Sequence, residues 1–274
     1  MKYIFIILLF FSSITFNRHH AVAQKAKDLN KVSTFKENKA FTFGEKLTFK
    51  LKYSLYLNIN VGEVTFEVKD KPRIHMGRPH YHISAIGSSY SFYSGFFAFR
   101  DHYETTIDIE KFLPSISIRV INEGNYHSFK SVIFDHEKKV VKSTTSGETF
   151  KIRNFTQDIL SAIYLARTFD FQNAKYGDSF MINTFIDDST YYVGFKVVKR
   201  ENVKTKMGTF RCVVIKPLLI VDRVFKSDED MTLWVTDDDN KIPLKAYSGI
   251  KVGAVKAELT NFTGIKNPLK SKIK

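Results

Sequence analysis

Alternation with a period of two constrains this chain more than any other feature. In Lys46-Leu47-Thr48-Phe49-Lys50-Leu51-Lys52-Tyr53 every second residue is apolar. Side chains that change face at each residue gather their apolar members on one side only when the backbone is a β-strand. Val61 to Val68 repeats the pattern after a register break near Gly62. Tyr81–Ala85, Phe99–Ile109, Ser115–Ile121, Tyr126–Phe134 and Lys139–Ser143 continue it, and Ser179–Ile186, Tyr191–Lys199, Val203–Lys206, Phe210–Lys216, Asp230–Thr236, Ile242–Gly249 and Ala254–Phe262 complete it. Short turn-forming segments separate them, among them Lys71-Pro72, Glu123-Gly124-Asn125 and Asp237-Asp238-Asp239-Asn240. Spacing of this kind predicts antiparallel neighbours rather than β–α–β units. About 14 strands exceed a comfortable flat sheet, so the expectation is a single large sheet that curls, spirals or partly closes.

One stretch departs from that rhythm. Between Thr156 and Phe169, apolar residues fall at Ile159, Leu160, Ile163 and Tyr164, the spacing of a helix face. Thr156 is a suitable N-cap and Asp158 suits the first turn. The spacing predicts one long helix over 156–169, around which the sheet wraps. A shorter helical turn is expected within Ser89–Phe96.

The ends read differently from the middle. Met1-Lys2, an apolar run from Tyr3 to Phe11, and Ala21-Val22-Ala23 before Gln24 make up a secretory signal peptide over 1–23. The run falls short of the roughly 20 residues a spanning helix needs. No cysteine stands near the cut, so the expectation is a periplasmic or secreted protein that is not a lipoprotein. Residues 24–40 read as a flexible segment, 41–265 as one β-rich domain and 266–274 as a basic tail. The formal charge of +14 falls to +12 once Lys2 and Arg18 are removed. Such a balance attracts anionic membrane surfaces; nucleic acid is not an expected partner of an exported chain.

Catalytic patterns are missing. The single cysteine, Cys212, cannot form an intramolecular disulfide, and it alternates within a strand as a small buried hydrophobe does. There is no nucleophile elbow and no phosphate-binding loop. His75, His80 and His82 raise a metal reading, and His127, His136 or an acid could supply a further ligand, but nothing in the spacing demands it, so no metal or cofactor is expected. Thr236–Lys241 clusters oxygen donors but reads as a hairpin turn, with Pro243 marking an edge or bulge beyond it.

Two neighbouring stretches remain as site candidates. Tyr90, Phe92, Tyr93, Phe96, Phe97, Phe99 and Tyr103 crowd into fourteen residues, more aromatic surface than a short segment hides against itself. Arg100-Asp101-His102-Tyr103-Glu104 is the densest polar run nearby; Arg100, His102 and Glu104 share one strand face, Asp101 and Tyr103 the other. Arg100 is expected to pair with Glu104 or with a neighbouring strand's acid. A ligand site built from Tyr90, Phe92, Tyr93, Phe96, Phe97, Phe99, Arg100, His102, Tyr103 and Glu104 leads to an apolar or lipid-like ligand held between curved sheet and helix. A docking module for an envelope protein is the alternative, and a hydrolase using Asp101, His102 and Glu104 a third.

Gly44-Glu45-Lys46-Leu47, Val61-Gly62-Glu63, Phe99 to Glu104, Asp158 to Ala162, Tyr176-Gly177-Asp178, Lys206 to Cys212, Trp234 to Asp238 with Lys241-Ile242-Pro243, and Ala257-Glu258-Leu259 recur as an ensemble. In these the chain resembles the exported bacterial proteins grouped as domain of unknown function 3108. The resemblance implies a periplasmic location, a curled β-sheet wrapped on a helix, and no established activity.

Overall fold

The computed structural model describes residues 33–93, 98–221, 224–227, 231–250 and 252–274; the signal-peptide reading of 1–23 lies outside them. Sixteen strands form one antiparallel sheet. In chain order they are β1 (Lys46–Ser54), β2 (Asn58–Val68), β3 (Arg73–His75), β4 (Arg78–Ser89), β5 (Arg100–Asp108), β6 (Pro114–Glu123), β7 (Tyr126–Asp135) and β8 (Val140–Ser143). Then follow β9 (Thr149–Lys151), β10 (Ser179–Ile186), β11 (Ser189–Thr205), β12 (Gly208–Val221), β13 (Val224–Ser227), β14 (Met231–Thr236), β15 (Pro243–Gly249) and β16 (Ala254–Thr263). The order across the sheet runs from β10 through β11, β12, β14, β15, β16, β1, β2, β4, β5, β6, β7 and β8 to β9, with β13 on β12 and β3 on β4.

The alternation seen in the sequence sets which face is buried. Leu47, Phe49 and Leu51 of β1 point inward, as do Val64 and Phe66 of β2 and Ile83 and Ala85 of β4. Gly62 marks the predicted register break, where Leu51 faces Gly62 and Lys52 faces Asn60. A Cβ there would lie 2.4 Å from the Ser88 carbonyl oxygen and 3.0 Å from the Phe99 ring, so only glycine fits. Pro243 sits at the expected bulge, in the β14–β15 ladder.

A single helix among the described residues, α1 (Ile159–Ala166), lies against the inner face. It is shorter than the sequence spacing predicts, and its N-cap is Asp158 rather than Thr156. The Asp158 carboxylate accepts from the Leu160 and Ser161 amides, and the Ser161 hydroxyl accepts from the Asp158 amide. Residues 153–157 have another task. Gln157 forms a parallel bridge to Thr184, Asn183 Nδ2 donates to the Asn154 carbonyl at 2.7 Å, and Arg153 donates to the Thr190 carbonyl. This segment follows β9 and spans to β10, the two edges of the sheet. The curled sheet is therefore brought together by a bridging segment rather than by a closing ladder, and Phe134, Phe150 and Phe185 pack across the same seam.

Of the N-terminal lead expected to be flexible, the described residues 33–40 are docked, and so is the basic tail. Phe35 stacks on Phe112 with centroids 4.6 Å apart, and Ala40 and Phe41 are fully buried. At the other end Lys272 bridges to Phe210, and the buried Asp238 carboxylate accepts from the Ser271 hydroxyl at 2.6 Å. The oxygen-rich Thr236–Lys241 turn thus spends its Asp238 carboxylate inside the fold.

At the C-cap of α1, Arg167 donates to both carboxylate oxygens of Glu45, at 2.5 and 2.8 Å, and to the Asn240 carbonyl. Both side chains are buried, and the guanidinium also lies over the rings of Phe41 and Tyr164. Removing one partner leaves the other charge buried and unpaired. Arg167→Met or Glu45→Gln is therefore expected to lower unfolding free energy by about 3–5 kcal/mol in urea titration, and the double variant by less than the two losses together.

Candidate functional site

Two cavities flank α1. The first is an apolar cleft of about 430 Å3, part of it open to solvent. Its floor is the inner face of β1, β2 and β14–β16, through Leu47, Phe49, Phe66, Leu233, Ala246 and Ala257, with Pro243 and Lys245 beside them. The helix supplies Ile163, Tyr164 and Arg167. Small alanines on adjacent strands, Ala246 facing Ala257 in register, leave the space that larger residues would fill. The Tyr164 hydroxyl is buried without a hydrogen-bond partner. Burial pushes this phenol up, so it is a neutral donor at physiological pH.

The second cavity, of about 480 Å3, lies at the seam. Tyr103, Ser117, Arg119, Lys130 and Val132 of β5–β7 form one wall; Asp158, Ile159 and Leu160 at the start of α1, with Phe185, Ile186, Asp187 and Asp188 at the β10–β11 turn, form the other. Arg119 contacts Asp187, and Lys130 reaches Asp187 at 3.3 Å and Asp188 at 2.8 Å.

The structure distributes the predicted site residues instead of gathering them. Phe99 is buried against Gly62, Tyr90 is half-buried, and Phe92 is exposed on a 3-10 turn at Ser91–Tyr93, where the short helical turn was expected. Phe96 and Phe97 lie outside the described residues. None of the apolar cleft's lining residues belongs to the aromatic segment. Tyr103 and Glu104 border the seam cavity, although the Glu104 carboxylate turns to the outer face and sits 3.0 Å from both His82 Nε2 and His102 Nε2. Arg100 is exposed, and the expected ion pair with Glu104 gives way to these two imidazoles. Period-two alternation puts Asp101 on the inner face and His102 and Glu104 on the outer, so the sheet separates the three groups of the hydrolase reading. Of the three histidines raised for a metal, His80 is buried, bonding the Arg78 carbonyl and the Ser115 hydroxyl. No group of three metal-ligating residues occurs among the described residues. Burial pushes the Cys212 thiol up to about 12, which leaves it unreactive.

The cleft residues escape a sequence reading because nothing marks them locally. They are ordinary inward positions of five strands, and only the Ala246–Ala257 register makes them adjacent.

Asp101 is fully buried, accepts the Asn122 amide at 2.9 Å, and faces the Glu123 carboxyl. Desolvation, with Glu123 adding to it, raises its pKa to about 7. Below pH 4 the group is protonated folded and unfolded alike. Between pH 4 and 7 the unfolded chain ionises while the native one holds its proton, so stability falls as pH rises and levels off above 7. Asp101→Asn keeps the shape without the titration. We expect the variant to gain ~1–3 kcal/mol over the parent at pH 8, and little at pH 4, by urea denaturation at both values.

A family model described as a protein of unknown function, DUF3108, matches residues 48–260. No curated protein matches the chain. Among solved structures, a beta-barrel-like protein of the domain of unknown function DUF1849 from Brucella abortus aligns with a TM-score of 0.55 at 11% identity, covering 82% of this chain and 99% of that one. A Bacteroides fragilis protein with a YmcC-like fold aligns at a TM-score of 0.34 and 8% identity, covering 84% and 100%. The first likeness concerns the fold alone.

Proposed function

The chain belongs to the DUF3108 family of proteins of unknown function, and on that premise we propose that it is a non-enzymatic protein of the cell envelope that binds an apolar, lipid-like ligand in the cleft between curved sheet and helix. The supporting observation is the cleft itself: an apolar-lined space of about 430 Å3 bordered by one buried, unpartnered hydroxyl, that of Tyr164. Concave, mostly apolar clefts with a few placed polar groups are the usual form of small-molecule sites. An acyl chain satisfies the floor, and an ester or carboxyl oxygen satisfies Tyr164. The signal-peptide pattern supports export to the periplasm or beyond, with cleavage near Ala23-Gln24.

Two variants test this reading with a fluorescent fatty acid as probe. Ala246→Leu/Ala257→Leu fills the cleft at an overpacking cost of about 1–3 kcal/mol and is expected to abolish saturable binding while the fold persists by circular dichroism. Tyr164→Phe is expected to leave stability unchanged or slightly raised, since it removes an unsatisfied buried hydroxyl, yet to weaken probe binding by about tenfold. Binding that survives the first variant unchanged contradicts the proposal.

A second reading has its own support. Leu55, Tyr56 and Leu57 at the β1–β2 tip and Val252 at the β15–β16 tip are exposed at one end of the sheet, on the same side as Phe92. Turns are normally polar, and exposed apolar tips mark contact surfaces. An envelope protein or an anionic membrane surface is the partner this reading assigns. Leu55→Ser/Leu57→Ser would reduce cosedimentation with anionic vesicles severalfold if the tips make that contact, and leave it unchanged if they do not.

A further inference from the structure

We infer that the cavity at the seam is a second binding site, for an anionic oxygen group (a carboxylate or a phosphate) taken up by Arg119, Lys130 and Tyr103 in exchange for Asp187 and Asp188.

The fixed part of this site consists of donors. The Arg119 side chain is only 12% exposed, and its guanidinium carries five N–H groups in a rigid fork. One of its nitrogens, Nη2, donates to Asp187. Tyr103, 5% exposed, lines the same cavity. Lys130 adds an ammonium from the neighbouring strand, because Arg119 faces Lys130 in the β6–β7 register and Tyr103 in the β5–β6 register. A planar guanidinium answers best to carboxylate or phosphate oxygens.

The counter-charges are the movable part. Asp187 and Asp188 are 47% and 42% exposed and form the two-residue turn between β10 and β11. Both have positive φ, 45° and 67°, a conformation that side chains rarely adopt. Swinging outward returns both carboxylates to water, whereas Arg119 and Tyr103 cannot follow them. An arriving anion therefore replaces the Asp oxygens one for one. The nearby Asp158 carboxylate is no obstacle, because its oxygens are already committed to the Leu160 and Ser161 amides and to the Thr105 hydroxyl. Val132, Ile159 and Phe185 offer apolar walls beside the charged groups.

Calorimetric titration of the full chain with inorganic phosphate and with acetate tests the inference. Asp187→Asn/Asp188→Asn removes the competing carboxylates at positions where asparagine tolerates positive φ, so this variant is expected to fold and to bind either anion about tenfold more tightly than the parent. Arg119→Gln is expected to bind about tenfold more weakly; should it fail to fold, the Asn variant still decides. No saturable binding by parent and Asn variant, or affinities within about threefold of one another, overturns the assignment. A soluble short-chain phosphatidate distinguishes the source: about tenfold tighter binding than phosphate identifies a lipid headgroup, and equal binding a free anion. The cleft-filling Ala246→Leu/Ala257→Leu variant keeps its anion affinity, so failure of the apolar-cleft reading and failure of this one are told apart.

Discussion

The buried pair of Arg167 and Glu45 is the interaction on which the interior depends. Two charges withdrawn from water are tolerable only when nearly every donor and acceptor is engaged. Here the guanidinium meets a bidentate carboxylate, the Asn240 carbonyl and, more distantly at 3.4 Å, the Ala40 carbonyl. Each of those groups belongs to a different piece of chain: the end of α1, the start of β1, the β14–β15 turn and the segment that packs Phe41. The pair therefore locates the helix against the sheet at one position, and that position sets the width of the cleft beside it. An apolar contact of equal area would not discriminate so sharply between neighbouring placements of the helix.

The second constraint is geometric. A sheet of this many strands must curl, and its edges, β9 and β10, approach without pairing. Residues 153–157 fill the gap with side-chain and backbone hydrogen bonds, then pass directly into the capped helix. A short helix inside a wide curve cannot fill the concave face from end to end. Space is left on both sides of it: apolar where β14–β16 and β1–β2 supply alanine, leucine and phenylalanine, polar where the seam brings Arg119 and Lys130 to the β10–β11 turn. The two cavities differ in chemistry because one is lined by a continuous sheet and the other by a junction.

Much of this fold was legible in the sequence. Strand faces, most turns, the bulge at Gly62 and the Pro243 irregularity all follow from period two and turn chemistry, which are local. The helix was legible in position but not in length, since its first residues are diverted to a bridge with Thr184 that no local pattern announces. The site was less legible. Aromatic density pointed to Tyr90–Tyr103, yet density does not say which residues face a void, and the voids arise from cross-strand register and from where the helix stops. Tyr103 borders a cavity because it alternates inward beside Arg119; Phe99 does not because glycine at position 62 lets its ring close the gap. Arg119, separated from Lys130 by a hairpin and from Asp187 by 68 residues, carried no motif at all.

The central claim is that the alanine-floored space beside α1 is occupied in the living cell by an apolar molecule. Native mass spectrometry of the mature protein, purified from its own cells without detergent, tests this most directly. A reproducible near-stoichiometric adduct that solvent extraction releases as an acyl-bearing compound is the predicted result. A single species at the bare polypeptide mass, unchanged after incubation with total envelope lipid, would contradict it.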